Sequence, residues 1–232
     1  MTDVFTIIAL TLVLAWPLGL YMTRVFRGER TFTDFLNPLE HGIYRLLGIN
    51  PQSGMNWRGY AMALLWSNFA MAVVLFLVLI FQDRLPLNPD KLGPVSWDLA
   101  LHTVASFITN TNQQHYSGQA QLSYLSQMML TWFQLVTPAA GLAALVAILR
   151  AFLTRDGNLG NYYVDVTRAL TRVLIPLSLV LALLLTWQGV PSTFSGAKVA
   201  ALLEPQTVTA PDGTTSTVRQ QVIPVGPVAG DV

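Results

Sequence analysis

The 232-residue sequence contains no cysteine, so it holds no disulfide, thiolate nucleophile or thiolate metal site. Charge is almost as scarce. Asp, Glu, Lys and Arg make up 11% of the chain, against about 25% in ordinary soluble domains, while 53% is hydrophobic. That balance all but excludes a water-soluble globular enzyme. A formal net charge of +1 gives no basic footprint for nucleic acid. Phosphate-cradling G-x-x-x-x-G-K-[ST] loops, G-x-G-x-x-G turns and H-E-x-x-H zinc helices are also missing. The histidines His41, His102 and His115 lack metal-ligand spacing, and no carboxylate pair sits inside an apolar run. If ATP drives this protein, another chain hydrolyses it.

What is present is length without charge. Val4 to Thr23, Gly59 to Gln82 and Val173 to Ala197 run for 20, 24 and 25 residues with no Asp, Glu, Lys or Arg. An α-helix crosses about 30 Å of hydrocarbon with roughly 20 apolar residues. Continuous apolar runs lack the alternation of a barrel, so these are membrane helices.

A fourth run, Leu99 to Leu149, has 51 residues without formal charge. As one helix it would extend about 77 Å, more than twice the membrane. Its middle, Thr109 to Gln119, is almost wholly polar and contains Gly118, which permits a turn. The apolar stretch before it, Trp97 to Ile108, is too short to span. Leu122 to Phe152, after it, is long enough, and Pro138 with Gly141 invites a kink. Short helix, polar segment and long helix predict a re-entrant pore loop followed by a span. Irregular backbone is tolerated at that depth only where it is buried in protein or lines water.

Basic residues orient the chain. Arg24, Arg27, Arg30, Arg45 and Arg58, with Arg150, Arg155, Arg168 and Arg172, occupy two connections. The opposite side has only Arg84, Lys91, Lys198 and Arg219. The expected layout is an all-α polytopic membrane protein with its N-terminus extracytoplasmic. A first span covers 1–23 and a cytoplasmic loop 24–58, part of which lies along the interface. Residues 59–152 hold a span, the re-entrant loop (97–118) and a long span. A cytoplasmic loop (153–172), a span (173–190) and an extracytoplasmic tail (191–232) complete it. The first run lacks a basic start, so it is retained rather than removed as a signal. In the tail, Thr207 to Ala210 and Thr214 to Val218 flank Pro211-Asp212-Gly213, a hairpin pattern.

The polar segment has two chemical readings. Its Thr, Asn and Gln residues fit a polar loop with no ion. They equally fit a backbone that offers carbonyl oxygens to a dehydrated cation, with the negative end of the preceding helix aimed at it. Without acidic side chains the cation is monovalent; K⁺ fits best, and Na⁺ is compatible with the composition. His115 reads as a surface hydrogen-bonding group before a proton carrier.

Several stretches resemble a known family, the potassium-binding subunit of the Kdp potassium-transporting ATPase (KdpA). Trp97-Asp98-Leu99-Ala100-Leu101, Ser106 to Asn112 and Gln114-His115-Tyr116-Ser117-Gly118 resemble its first pore loop. Met55-Asn56-Trp57, Leu85-Pro86-Leu87-Asn88-Pro89, Leu122-Ser123-Tyr124, Ser126-Gln127-Met128, Leu149 to Phe152 and Gly226 to Ala229 are similar too. The resemblance implies the potassium-channel-like transporter fold, four helix–pore-loop–helix repeats around one filter. It implies K⁺ as transported ion, with KdpB-like ATP-hydrolysing and KdpC-like and KdpF-like accessory subunits in a bacterial inner membrane. It makes Thr109, Asn110, Thr111 and Asn112 a K⁺-binding filter acting through carbonyls, with Gln114 influencing selectivity. Gln113 replaces a usual Trp and Gln119 a commonly acidic residue, which bears on affinity. Family members are more than twice as long, so this chain is expected to be an N-terminal portion with about one repeat. The rival functions are a stand-alone K⁺ channel or transporter of that superfamily, and a non-transporting scaffold subunit.

Overall fold

The charge-free runs become helices. The structure, a computed structural model, describes residues 2–154, 157–190, 193–209, 215–223 and 225–227. In chain order the helices are α1 (Thr2–Arg27), α2 (Asn37–Leu46), α3 (Trp57–Ile80), α4 (Trp97–Ile108), α5 (Gly118–Gln121), α6 (Tyr124–Leu153), α7 (Tyr162–Arg168) and α8 (Ile175–Trp187). A π-helical stretch, Ala169–Leu174, joins α7 to α8. Among the described residues, four helices are long and apolar enough to cross a membrane: α1, α3, α6 and the continuous helix Tyr162–Trp187.

This last helix corrects the expected boundary. The charges of Arg168 and Arg172 place residues 153–172 in a loop by sequence, yet the chain is helical from Tyr162. Arg172 is tolerated because it is not solvated. Arg172 is 6% exposed and forks onto Glu40, Nε to Oε1 at 2.6 Å and Nη2 to Oε2 at 2.9 Å. It also reaches Asp34 at 2.9 Å and Asn37. Asn161 starts this helix by accepting from the amides of Tyr163 (3.1 Å) and Val164 (3.5 Å), an N-cap.

The chain divides into two compact units. One comprises 1–69 and 135–181, the other 70–134 and 182–232. In the first, small side chains let helices approach. Ala140, Ala143 and Ala147 of α6 pack with Tyr60 and Ala63 of α3 and Tyr162 of α7. A bidentate pair, Arg150 and Asp165, is the polar centre of this unit, and the Asp165 side chain is only 2% exposed. Tyr60 donates to the same carboxylate at 3.1 Å, and Arg150 reaches the Phe26 carbonyl near the end of α1 at 3.2 Å. The α1 end itself follows the sequence. Gly28 takes φ +73°, and Glu29 N donates to Arg24 O at 2.9 Å, the left-handed stop that glycine permits.

In the second unit, α4 packs its buried face (Ala100, Val104 and Phe107) against Leu75, Leu79, Leu122, Leu130 and Phe133. The expected hairpin is present as two antiparallel strands, β1 (Lys198–Thr209) and β2 (Thr215–Ile223), paired from Lys198↔Ile223 to Thr209↔Thr215. Its Pro211-Asp212-Gly213 turn lies outside the described residues. A register irregularity falls between Ala201 and Gln206.

Candidate functional site

The polar segment begins where α4 runs out of apolar residues. Ile108 is the last helical position, and Thr109 (φ −81°, ψ 0°) is its half-helical cap. Asn110 then takes φ +57°, a left-handed conformation that Asn tolerates better than other residues with a Cβ. Asn110 N donates to Phe107 O at 3.1 Å and Thr111 N to Ser106 O at 2.9 Å. This pair of bonds is the Schellman termination, built here on asparagine. Asn112 is left-handed as well, at φ +52°, and its amide reaches Ser106 O at 3.4 Å.

The amides of residues 109 to 112 are therefore turned back onto α4, to the carbonyls of Ala105, Ser106 and Phe107. No described peptide bond is cis. In a trans peptide the C=O is antiparallel to the N–H of the next residue. The carbonyls of Thr109, Asn110 and Thr111 consequently face away from the end of α4. Ser106, 6% exposed, closes the other end of the segment: its hydroxyl donates to Gln113 O at 2.9 Å. The hydroxyls of Thr109 and Thr111 lie 2.7 Å apart.

Around this turn the remaining expected residues take separate places. Gln114 is exposed, and its Nε2 donates to Tyr116 O at 3.0 Å. Gln113 is exposed and contributes its carbonyl to the Ser106 hydroxyl. The side chain of Gln119 is outside the described set. His115 meets His102 of α4 edge to face, ring centroids 4.4 Å apart, while His41 belongs to the other unit and is bonded to Asn37 O. Tyr116 is half-buried, and burial pushes its phenol up to about 12. At the front of α4, the Ser96 hydroxyl and local amides hold the Asp98 carboxylate below its usual range.

Sequence reasoning missed Gln82, at the end of α3. It is fully buried, and its amide makes four hydrogen bonds. Nε2 donates to Gly93 O (2.6 Å) and Gln121 O (2.8 Å); Oε1 accepts from Ser123 N and Ser126 Oγ, both at 3.0 Å. Gly93 precedes α4, and Gln121 follows the polar segment. One amide thus pins both ends of the excursion 93–121. The available signal was a lone Gln just past an apolar run, where a buried amide must find partners.

The profile of the family described as KdpA, potassium-transporting ATPase A subunit, matches residues 5–232. The chain belongs to the KdpA family. Curated relatives in that family carry the name potassium-transporting ATPase potassium-binding subunit. The one from Gloeobacter violaceus is 48% identical over 213 residues, covering 91% of this chain and 36% of the relative. The Pseudomonas putida protein is 46% identical over 218 residues (93% and 36%), and that from Clostridium botulinum 42% over 228 (97% and 39%). The chain therefore spans a little over a third of the length of these KdpA-family relatives. With its four membrane-capable helices, it is a multi-pass membrane protein.

Proposed function

We propose that this chain supplies one carbonyl-lined filter segment of the K⁺-binding and translocating subunit of an ATP-driven K⁺ uptake pump. Thr109, Asn110, Thr111 and Asn112 bind K⁺ through backbone oxygens, and Gln114 tunes selectivity from beside them. The observation that carries this reading is the handedness of Asn110 and Asn112, with the segment's amides turned toward α4 and the carbonyls of Thr109, Asn110 and Thr111 away. Oxygens so directed replace part of an ion's hydration shell, and the negative end of α4 favours a cation over an anion. A complete ring of ligands needs more than one such segment, so the other repeats of the full-length subunit supply the rest.

The pump reading adds KdpB-like ATP-hydrolysing and KdpC-like and KdpF-like accessory subunits, in a bacterial inner membrane. The N-terminus and the 97–118 loop face outward, as nine of the 13 basic residues on the two opposite connections support. Measuring K⁺ uptake with Gln114→Ala in the assembled complex tests it. A changed K⁺ affinity or K⁺/Na⁺ preference is expected. Unchanged transport with lost assembly would instead make this a scaffold, and uptake without an ATP-hydrolysing partner would make it a channel.

A further inference from the structure

Near the end of α1, where the apolar run stops at Thr23, the first unit forms a half-open cavity of about 280 Å³. Its wall is built from Gly28, α2 and the α7–π junction, and it holds three arginines, Arg30, Arg168 and Arg172. Two of the three acids on the wall are spent on one of them. Arg172 is matched by Glu40 and Asp34, at 2.6 and 2.9 Å. The third, Glu29, leans on Arg27 at 3.8 Å. Arg168 has no carboxylate partner among the described residues. Its Nη1 makes one long bond to Phe26 O at 3.5 Å, and its Nε is buried with nothing to donate to.

A second orphan lines the same cavity. Tyr44 is 6% exposed, and its hydroxyl is buried without a partner. Burial, with Glu40 nearby, pushes this phenol up to about 12, so it remains a donor at any physiological pH. Buried donors are almost always satisfied in folded proteins, and two on one wall need an acceptor. The stretch that carries most of these wall residues adds a further fact. Phe32, Phe35, Leu39 and Leu46, interleaved with them in sequence, are 77, 73, 53 and 85% exposed, apolar side chains suited to the membrane interface.

We propose that this cavity is a binding site for a phosphate-class oxyanion, held by the Tyr44 hydroxyl and the Arg168 guanidinium. Two sources offer that chemistry: the headgroup of an anionic phospholipid, and free phosphate. The exposed apolar residues interleaved with the wall residues favour the lipid. This inference stands independently of the filter.

The full-length subunit in its assembled complex, purified in detergent and in phosphatidylcholine nanodiscs, is titrated with phosphatidylglycerol and, separately, with inorganic phosphate. Bound lipid is read by native mass spectrometry, phosphate by calorimetry. Wild type is expected to retain phosphatidylglycerol over phosphatidylcholine. Tyr44→Phe, which keeps the ring and its packing, should weaken retention several-fold, and Arg168→Gln about tenfold or more. Arg84→Gln, an exposed arginine elsewhere, should bind as wild type. Phosphate binding with the same variant dependence, and no lipid preference, assigns the site to the free anion. If neither probe binds, or if Tyr44→Phe binds both as wild type does, the proposal is wrong. Tyr44→Phe decides the matter even if Arg168→Gln does not fold.

Discussion

The hydroxyl of Ser106 donates to the carbonyl of Gln113 across 2.9 Å, while the Ser106 carbonyl accepts the amides of Thr111 and Asn112. A single buried residue therefore holds the polar segment at its middle and its end. Ser106→Ala removes only the hydroxyl bond, about 1 kcal/mol of restraint on Gln113. In the assembled transporter this should raise the half-saturating K⁺ concentration several-fold and narrow the K⁺/Na⁺ preference, leaving protein yield unchanged. Ser106→Thr, which keeps the hydroxyl, should restore both. A wild-type cation profile in Ser106→Ala would show that the bond does not shape the segment.

Asn110 gives a test of backbone handedness. Asn110→Gly keeps φ +57° accessible and should preserve the fold and ion affinity. Asn110→Val places a β-branched side chain in the left-handed region, at about 1–2 kcal/mol. Its thermal midpoint should fall and its K⁺ affinity collapse. Equal behaviour of the two variants would contradict the role given to the conformation.

The Gln82 amide uses both faces, donating to two carbonyls and accepting from an amide and a hydroxyl. Gln82→Glu keeps the shape but sets a carboxylate against Gly93 O and Gln121 O. It should destabilise as much as Gln82→Leu, by about 2–3 kcal/mol, through buried groups left unpaired. Limited proteolysis between 93 and 121 should accelerate in both variants. A Gln82→Glu protein as protected as wild type would show that the donor half is dispensable.

Breaking the Arg150–Asp165 pair should be among the most damaging single changes. Asp165→Asn leaves the guanidinium without its counter-charge, at about 3–5 kcal/mol. The double variant Arg150→Met with Asp165→Leu should lose less than Asp165→Asn alone, because no unpaired charge remains. Thermal denaturation in detergent reads both. A double variant worse than the single would make the pair a net stabiliser.

Tyr44 sets a pH dependence. Its phenol is raised from 10.0 to about 12 by burial, so folding favours the protonated form. The associated stability is fully present below pH 10 and is lost as pH climbs from there through about 12. Tyrosinate absorbance should show several late-titrating groups in wild type, Tyr116 among them, and one fewer in Tyr44→Phe. Identical titration curves would place that group elsewhere.

Much of this was legible because the physical signals were local. The apolar stretch Trp97 to Ile108 and the polar run that follows from Thr109 bound α4 within the sequence itself. Apolar length alone located α1, α3 and α6. The segment's direction was half-legible: two asparagines permit left-handed turns, but only the backbone shows both taken. Pairings across distance were invisible. Arg172 read as a solvated charge because its partner Glu40 lies 132 positions earlier. Gln82 stayed silent for the same reason, since its four partners come from two separate stretches, Gly93 and Gln121 to Ser126.

Distance along the chain is also time. Tyr21 donates to the carbonyl of Arg172 at 2.7 Å, across 151 positions. At roughly 5–20 residues per second a ribosome needs on the order of ten to thirty seconds to traverse that gap. For most of it Glu40 and Asp34 are already made and wait without their arginine. The unit they belong to closes late, and any chaperone or lipid that shelters those acids meanwhile acts on a newborn protein rather than a finished one.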